Sequence, residues 1–428
     1  MRIDQLRLKN FRGFEDFSID LDPQFTLLIG ANGSGKSAVL DGLTIAAGSW
    51  LLGIPGYDSR HIEPHDVRLV RMEFEDQVAH ERQYPVVVEA AGIFGPKKKN
   101  KQSWLRELRQ RGGRTTYARA LNIKREAEKF HRIVQAGGSC TLPLISSYGT
   151  GRLHQETRRQ QEANKPSKDA VGASRLDGYL YSVDQRISKH QIFSWLLSQY
   201  IGRKRRIGFL LFEQILTECF DQIESARMTI DFSTHSPQFD LLVKFSDQDE
   251  LPFDALSDGQ RMIILLVADI VQKAVILNPR LAQDAVRETP GVVLIDEIDL
   301  HLHPRWQRSI VSNLKKAFPA LQFVASTHSP QIIGEVPPEQ IRVLRADGRV
   351  EGVPGSLGRT SNWVLTHLME SEERNVEFQK KLKEAETLIH DCEYEKAQEI
   401  LKNMRQAYGD DVDIVGLDAA IERELLED

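Results

Sequence analysis

The sequence predicts an α/β protein with buried central strands whose ends hold a phosphorylated ligand. Three observations lead there. Residues 25–29 and 292–295 are short apolar runs, as expected of strands buried on both faces. The first run leads into a glycine-rich octapeptide, residues 30–37, followed by a helix-like stretch of small and apolar residues over 37–48. The second run ends on the carboxylate pair Asp296-Glu297, at the strand terminus where open α/β sheets bind their ligands.

Around this centre the other elements follow in order. Residues 3–9 and 17–21 alternate apolar and polar side chains, the pattern of half-buried strands, and flank a turn at Asn10-Phe11-Arg12-Gly13-Phe14. Residues 86–90 and 142–146 read as further strands. Residues 97–132 carry 13 Lys or Arg against three Glu, which suggests a basic insertion. Residues 154–175 are polar and read as a loop, and residues 188–227 show helical spacing of Phe, Trp, Leu and Ile. Strands are expected near 227–232, 239–245 and 322–326, with a helix starting at Pro304.

The domain organisation expected from this pattern is a head over residues 1–361 and a helical interaction region over 362–428. The head divides into a first lobe around the glycine-rich octapeptide, an insertion over 97–226 and a second lobe over 227–361. Residues 371–428 hold 17 acidic and eight basic side chains, and one helical hairpin broken at Gly409 fits their spacing. A lone hairpin is too little for a solenoid, and no heptads are sustained.

Composition bounds the function classes. At 428 residues with 41% hydrophobic and 27% charged side chains, the chain resembles an ordinary soluble protein. No run of about 20 apolar residues is present, so no membrane span is expected. The N-terminus has no signal-like apolar region, and Cys140, Cys219 and Cys392 lie far apart. A cytoplasmic setting without a cysteine-based metal site follows as the expectation. The net charge of −5 does not by itself announce a nucleic-acid binder.

Four motifs carry chemistry. Gly30-Ala31-Asn32-Gly33-Ser34-Gly35-Lys36-Ser37 fits G-x-x-x-x-G-K-[ST] in its strand–loop–helix setting, a P-loop. Gly33, Gly35 and Asn32 belong to the loop whose backbone N–H groups cradle phosphate. Lys36 is suited to the β/γ-phosphates and Ser37 to Mg²⁺. In the second motif Asp296 is placed to hold Mg²⁺, and Glu297 to polarise an attacking water. The third is Leu256-Ser257-Asp258-Gly259-Gln260 ahead of a helix-like segment. Ser257 and Gly259 could present hydroxyl and N–H to a phosphate there, or Ser257 could be a plain helix cap. The fourth is Ser326-Thr327-His328-Ser329, where His328 could reach a γ-phosphate or its water, or be an ordinary surface histidine.

The order GANGSGKS, LSDGQ, VVLIDE and STHS resembles the head domain of ABC, SMC and RecF ATPases. The resemblance implies ATP and Mg²⁺ sandwiched between two heads of a homo-oligomer. Lys36, Ser37, Asp296, Glu297 and His328 of one head would face Ser257 and Gly259 of the other. It also implies Arg12 beside the nucleotide and Asp299 at the D-loop position. Asp258 departs from the glycine frequent in the signature, and no glutamine stands out as the Q-loop residue.

Residues 148–152 (YGTGR) and 295–304 (IDEIDLHLHP) are further similar to a bacterial family of stand-alone ATPases that includes the PtuA subunits of Septu and retron-linked anti-phage systems. That likeness implies control of a separately encoded HNH nuclease resembling PtuB. No HNH-like or clustered-carboxylate nuclease pattern is found in the chain itself. A repair ATPase of the RecF or SMC type and a nucleotide-gated scaffold with little turnover are the other classes to weigh. Residues 97–132 and 203–206 could track DNA or RNA phosphates or simply be solvated charge. The His301-x-His303 pair lacks an evident third ligand for a metal.

Overall fold

The computed structural model describes residues 1–74, 77–95, 101–152, 174–201, 206–231, 238–247, 249–353, 355–369 and 374–427. The basic residues Lys97, Lys98, Lys99, Arg203, Lys204 and Arg205, and nearly all of the polar stretch 154–175, lie outside these. The described chain separates into two compact units, Met1–Thr360 and Ser361–Asp428.

The first unit holds fifteen strands among its described residues. They are β1 (Arg2–Phe11), β2 (Phe14–Asp20), β3 (Phe25–Ile29), β4 (Leu69–Phe74), β5 (Gln77–Arg82), β6 (Val86–Ile93), β7 (Gln102–Leu108) and β8 (Leu144–Tyr148). They continue with β9 (Ile223–Asp231), β10 (Gln238–Phe245), β11 (Leu251–Pro252), β12 (Gly291–Ile295), β13 (Leu321–Ser326), β14 (Ile341–Leu344) and β15 (Val350–Glu351).

The central sheet has the order β15-β14-β3-β13-β12-β8. All its pairings are parallel except that of β15. Every residue of β3, β8, β12 and β13 is buried, which is why these strands do not alternate; Ser146, Ser147, Gln322 and Ser326 are buried polar members of β8 and β13. A second sheet, β2-β1-β6-β7, is antiparallel and alternates, as one-faced burial requires. Gln322, at the start of β13, joins the two sheets. Its amide accepts from Ile3 N at 2.8 Å and donates to Asp22 O at 2.9 Å and to Ile3 O. The β9–β11 sheet and the β4–β5 hairpin complete the strands.

The segment 97–226 is not a block set apart from the head. Its residues Gln102–Leu108 form the edge of the antiparallel sheet, and Leu144–Tyr148 the edge of the central one. Counting charge hides this, because β7 turns Trp104, Arg106 and Leu108 inward. Arg106 is fully buried, and burial pulls its guanidinium down to about 10. Gly53 lets the turn after the P-loop helix (Lys36–Ala47) seat against the helix Leu121–Gln135, since a Cβ there would collide with the carbonyl of Lys124.

The second unit holds more than the single hairpin expected. Beyond Ser361–His367 it has three long helices, Val376–His390, Tyr394–Tyr408 and Val412–Glu427. Gly409, at φ 82°, ends the second of these. The first break falls at Cys392 in a left-handed conformation, φ 60°, with no glycine or proline to announce it. Phe378, Ala385, Ala397, Leu401, Met404 and Ile414 form a core of the unit's own. Leu401→Ala should therefore destabilise these helices by about 2–5 kcal/mol through lost burial and a cavity. Denaturant unfolding followed by helix signal would show a reduced midpoint, whereas an unchanged midpoint would mean that Leu401 is not a core residue.

Candidate functional site

The register of the central sheet assembles the site. β13 lies between β3 and β12, with Ser326 opposite Leu28 and Ala325 opposite Ile295. Neighbouring strands thus end within one residue of each other, and Gly30, Asp296 and Thr327 leave the sheet at the same end. A cavity of about 360 Å³ opens at this edge. Residues 32–38 of the P-loop line it on one side, with Asp296, Glu297 and His328 on the other and Arg12, Gly13 and Phe14 at its rim.

The P-loop backbone needs its glycines. Gly35 has φ 98°, and a Cβ there would strike the ring of Phe14. Lys36 is 7% exposed, and its ammonium donates to the carbonyls of Gly30 at 2.9 Å and Ala31 at 3.0 Å. Burial pulls this ammonium below its usual range, while the carboxylates of Asp296, Glu297 and Asp299 act in the opposite direction. Ser34 Oγ is buried with no partner, an orphan hydroxyl inside a loop shaped for an anion.

Ser326, at the end of β13, organises the acidic side. Its hydroxyl donates to Asp296 Oδ1 and accepts from Glu297 N at 2.8 Å, and its carbonyl accepts from Ile298 N at 2.9 Å. Asp299 turns away from the cavity toward the same strand. It accepts from Thr327 Oγ1 at 2.6 Å and from His328 N at 3.4 Å, so it braces the segment carrying His328. Among the described residues no three His, Cys, Asp or Glu side chains gather as a metal site. Ser37 and Asp296 instead offer two oxygen donors on one cavity, the set Mg²⁺ takes together with phosphate oxygens and water. The cradle, the orphan hydroxyl and these donors fit a Mg²⁺-nucleotide.

Arg12 is held by two carboxylates, contacting Asp41 at 2.5 Å and Asp66 at 3.0 Å. Arg60 pairs with the same two acids, and Gln185 donates to Asp41 at 2.8 Å. Nothing in the sequence points to Asp41, Asp66 or Gln185, because the partners come from distant segments.

Ser257 and Gly259 are not brought to the cavity. Ser257 caps the helix Asp258–Leu277 in a reciprocal box with Gln260. Gly259 is buried, and a Cβ on it would collide with the carbonyl of His301. Arg152, a member of the YGTGR stretch with no role assigned from sequence, is 1% exposed. Its guanidinium donates to the carbonyls of Gly149 at 2.9 Å and Glu297 at 2.8 Å, to that of Asp296, and to Met262 Sδ at 3.0 Å.

Lys36→Ala removes the buried ammonium facing the P-loop. ATP affinity should fall by roughly 10- to 100-fold, the worth of a charged hydrogen bond. Calorimetry with Mg²⁺-ATP checks this, and unchanged affinity would show that the loop is not the nucleotide cradle.

Comparison with known proteins agrees with this geometry. A family profile described as an AAA domain matches residues 5–231. A second AAA-domain profile, associated with a Type IV TA system, matches residues 152–334. The Retron Ec83 probable ATPase of Escherichia coli is 25% identical over 498 residues, spanning all of this chain and 88% of that protein. The Retron Vc95 probable ATPase of Vibrio cholerae serotype O1 biovar El Tor is 34% identical over 185 residues, 42% of this chain and 34% of that protein. The Septu protein PtuA of Bacillus mycoides (strain KBAB4) is 55% identical over 75 residues, 18% of this chain and 10% of that protein. Since the first profile covers more than half of the chain and its residues build the phosphate cradle, the protein belongs to the AAA-domain family of P-loop ATPases.

Proposed function

We propose that this ATPase is the nucleotide-driven subunit of a bacterial anti-phage assembly. In this reading it closes head to head on ATP and controls a separately encoded nuclease of the HNH type. The carrying observation is the convergence of Lys36, Ser37, Asp296, Glu297 and His328 on one cavity. Lys36 would exchange its loop carbonyls for β/γ-phosphate oxygens, and Ser37 and Asp296 would hold Mg²⁺. The metal supplies neutralisation of phosphate charge. Glu297 would accept a proton from the attacking water, and His328 would contact the γ-phosphate. The site lacks its own signature residues, which supports a second copy donating Ser257 and Gly259. The retron and Septu relatives support the defence setting.

Glu297→Gln keeps the shape and removes the base. Mg²⁺-ATP binding should persist while turnover falls by about 10²–10⁴-fold, and ATP-bound dimers should accumulate. Phosphate release together with light scattering reads both outcomes, and parental turnover would remove Glu297 from the mechanism. Co-purification with a small HNH protein encoded nearby tests the nuclease link; DNA-stimulated turnover without such a partner would favour a repair role.

The segment between β7 and the helix Leu121–Gln135 exposes Arg111, Arg114 and Arg119, and the helix exposes Arg125, which supports contact with DNA or RNA backbone. Reversing these four to Glu should weaken binding and flatten the log–log salt dependence by up to about 0.9 per lost duplex phosphate contact. Among the described residues no helix is long and apolar enough to cross a membrane.

A further inference from the structure

We infer that Arg152 is a positioning residue that holds the backbone of Asp296 and Glu297 for hydrolysis and ties it to the helix Asp258–Leu277. The inference rests on the assignment of Glu297 as the group that polarises water. Beyond Ile295 the chain leaves the sheet ladder: Asp296 N still donates to Tyr148 O at 2.8 Å, and then the backbone turns. At Glu297 it adopts φ 49°, a left-handed conformation that a residue with a side chain keeps only where its surroundings hold it. Ser326 takes the N–H groups of this turn, and Arg152 takes its carbonyls.

A planar guanidinium is the side chain suited to this task, because its fixed fork reaches several acceptors at once and a lysine ammonium acts as a point charge. Among the described residues Arg152 has no carboxylate partner; its hydrogen bonds there go to three main-chain oxygens and one thioether. The buried cation also lies where the fields of Asp296, Glu297 and Asp299 favour its charged form, against a burial that pulls it down to about 10. The thioether belongs to Met262, one turn into the helix that Ser257 caps. Two further side chains latch that helix to β8, with Asp269 accepting from Tyr148 Oη at 2.6 Å and Lys273 donating to Ser146 Oγ at 2.6 Å. The helix carrying the signature and the carboxylates at the end of β12 are thereby joined through one buried arginine.

The test compares full-length parent, Arg152→Lys and Met262→Leu by ATP affinity, kcat and amide hydrogen exchange at residues 296–298. Arg152→Lys should leave ATP affinity unchanged, lower kcat by about 10- to 100-fold and speed exchange at Glu297 and Ile298. Met262→Leu keeps the volume and removes the sulfur contact; it should shift kcat and exchange in the same direction by less. Should Arg152→Lys not fold, the Met262→Leu arm decides. Equal exchange in all three proteins, or loss of affinity in step with kcat, would overturn the positioning role. If the parent shows no turnover that Glu297→Gln abolishes, the assignment of Glu297 fails, and the exchange data still decide what Arg152 holds.

Discussion

Everything at this site depends on three neighbouring parallel strands finishing at the same end of the sheet, each within one residue of the next. In strands buried on both faces a shift of one residue would exchange the side chains packed on the two faces, so close packing on each holds the register. With β13 set between β3 and β12, the phosphate cradle, the carboxylates and the His328 segment are delivered to one edge by the sheet alone. Ser326 completes the arrangement where the ladder stops, because one residue receives or donates to both members of the acidic pair.

Much of this was legible in the sequence because it is local. The P-loop is a contiguous octapeptide, and β3, β12 and β13 are short, mostly apolar runs that could be located to within a residue or two. What could not be read depends on contacts between distant positions. Arg152 and Asp296 stand 144 residues apart, and no spacing rule links them. Arg12 was expected near the nucleotide, but its two carboxylate partners, Asp41 and Asp66, give no sequence signal.

Other differences have equally physical causes. Arg106 counts as surface charge in a composition plot, yet its place on the inward face of β7 buries it completely. The turn at Cys392 lacks a helix breaker; apolar side chains on either side fold the chain back on itself, and the core of the second unit secures the bend. Asp299 carries its charge toward the hydroxyl of Thr327 and the backbone of His328, contacts that link it to the segment after β13.

The contact between Gly259 and the carbonyl of His301 bears on how genetic data at the signature are interpreted. In ATPases that close around nucleotide, a defect at this glycine invites explanation as a missing contact across the interface. Here any side chain at 259 would displace the loop following Asp299 within the same chain. A lesion at 259 would then trace to the loop beside the carboxylates of the same chain, unlike one at Ser257, which is exposed and caps its own helix.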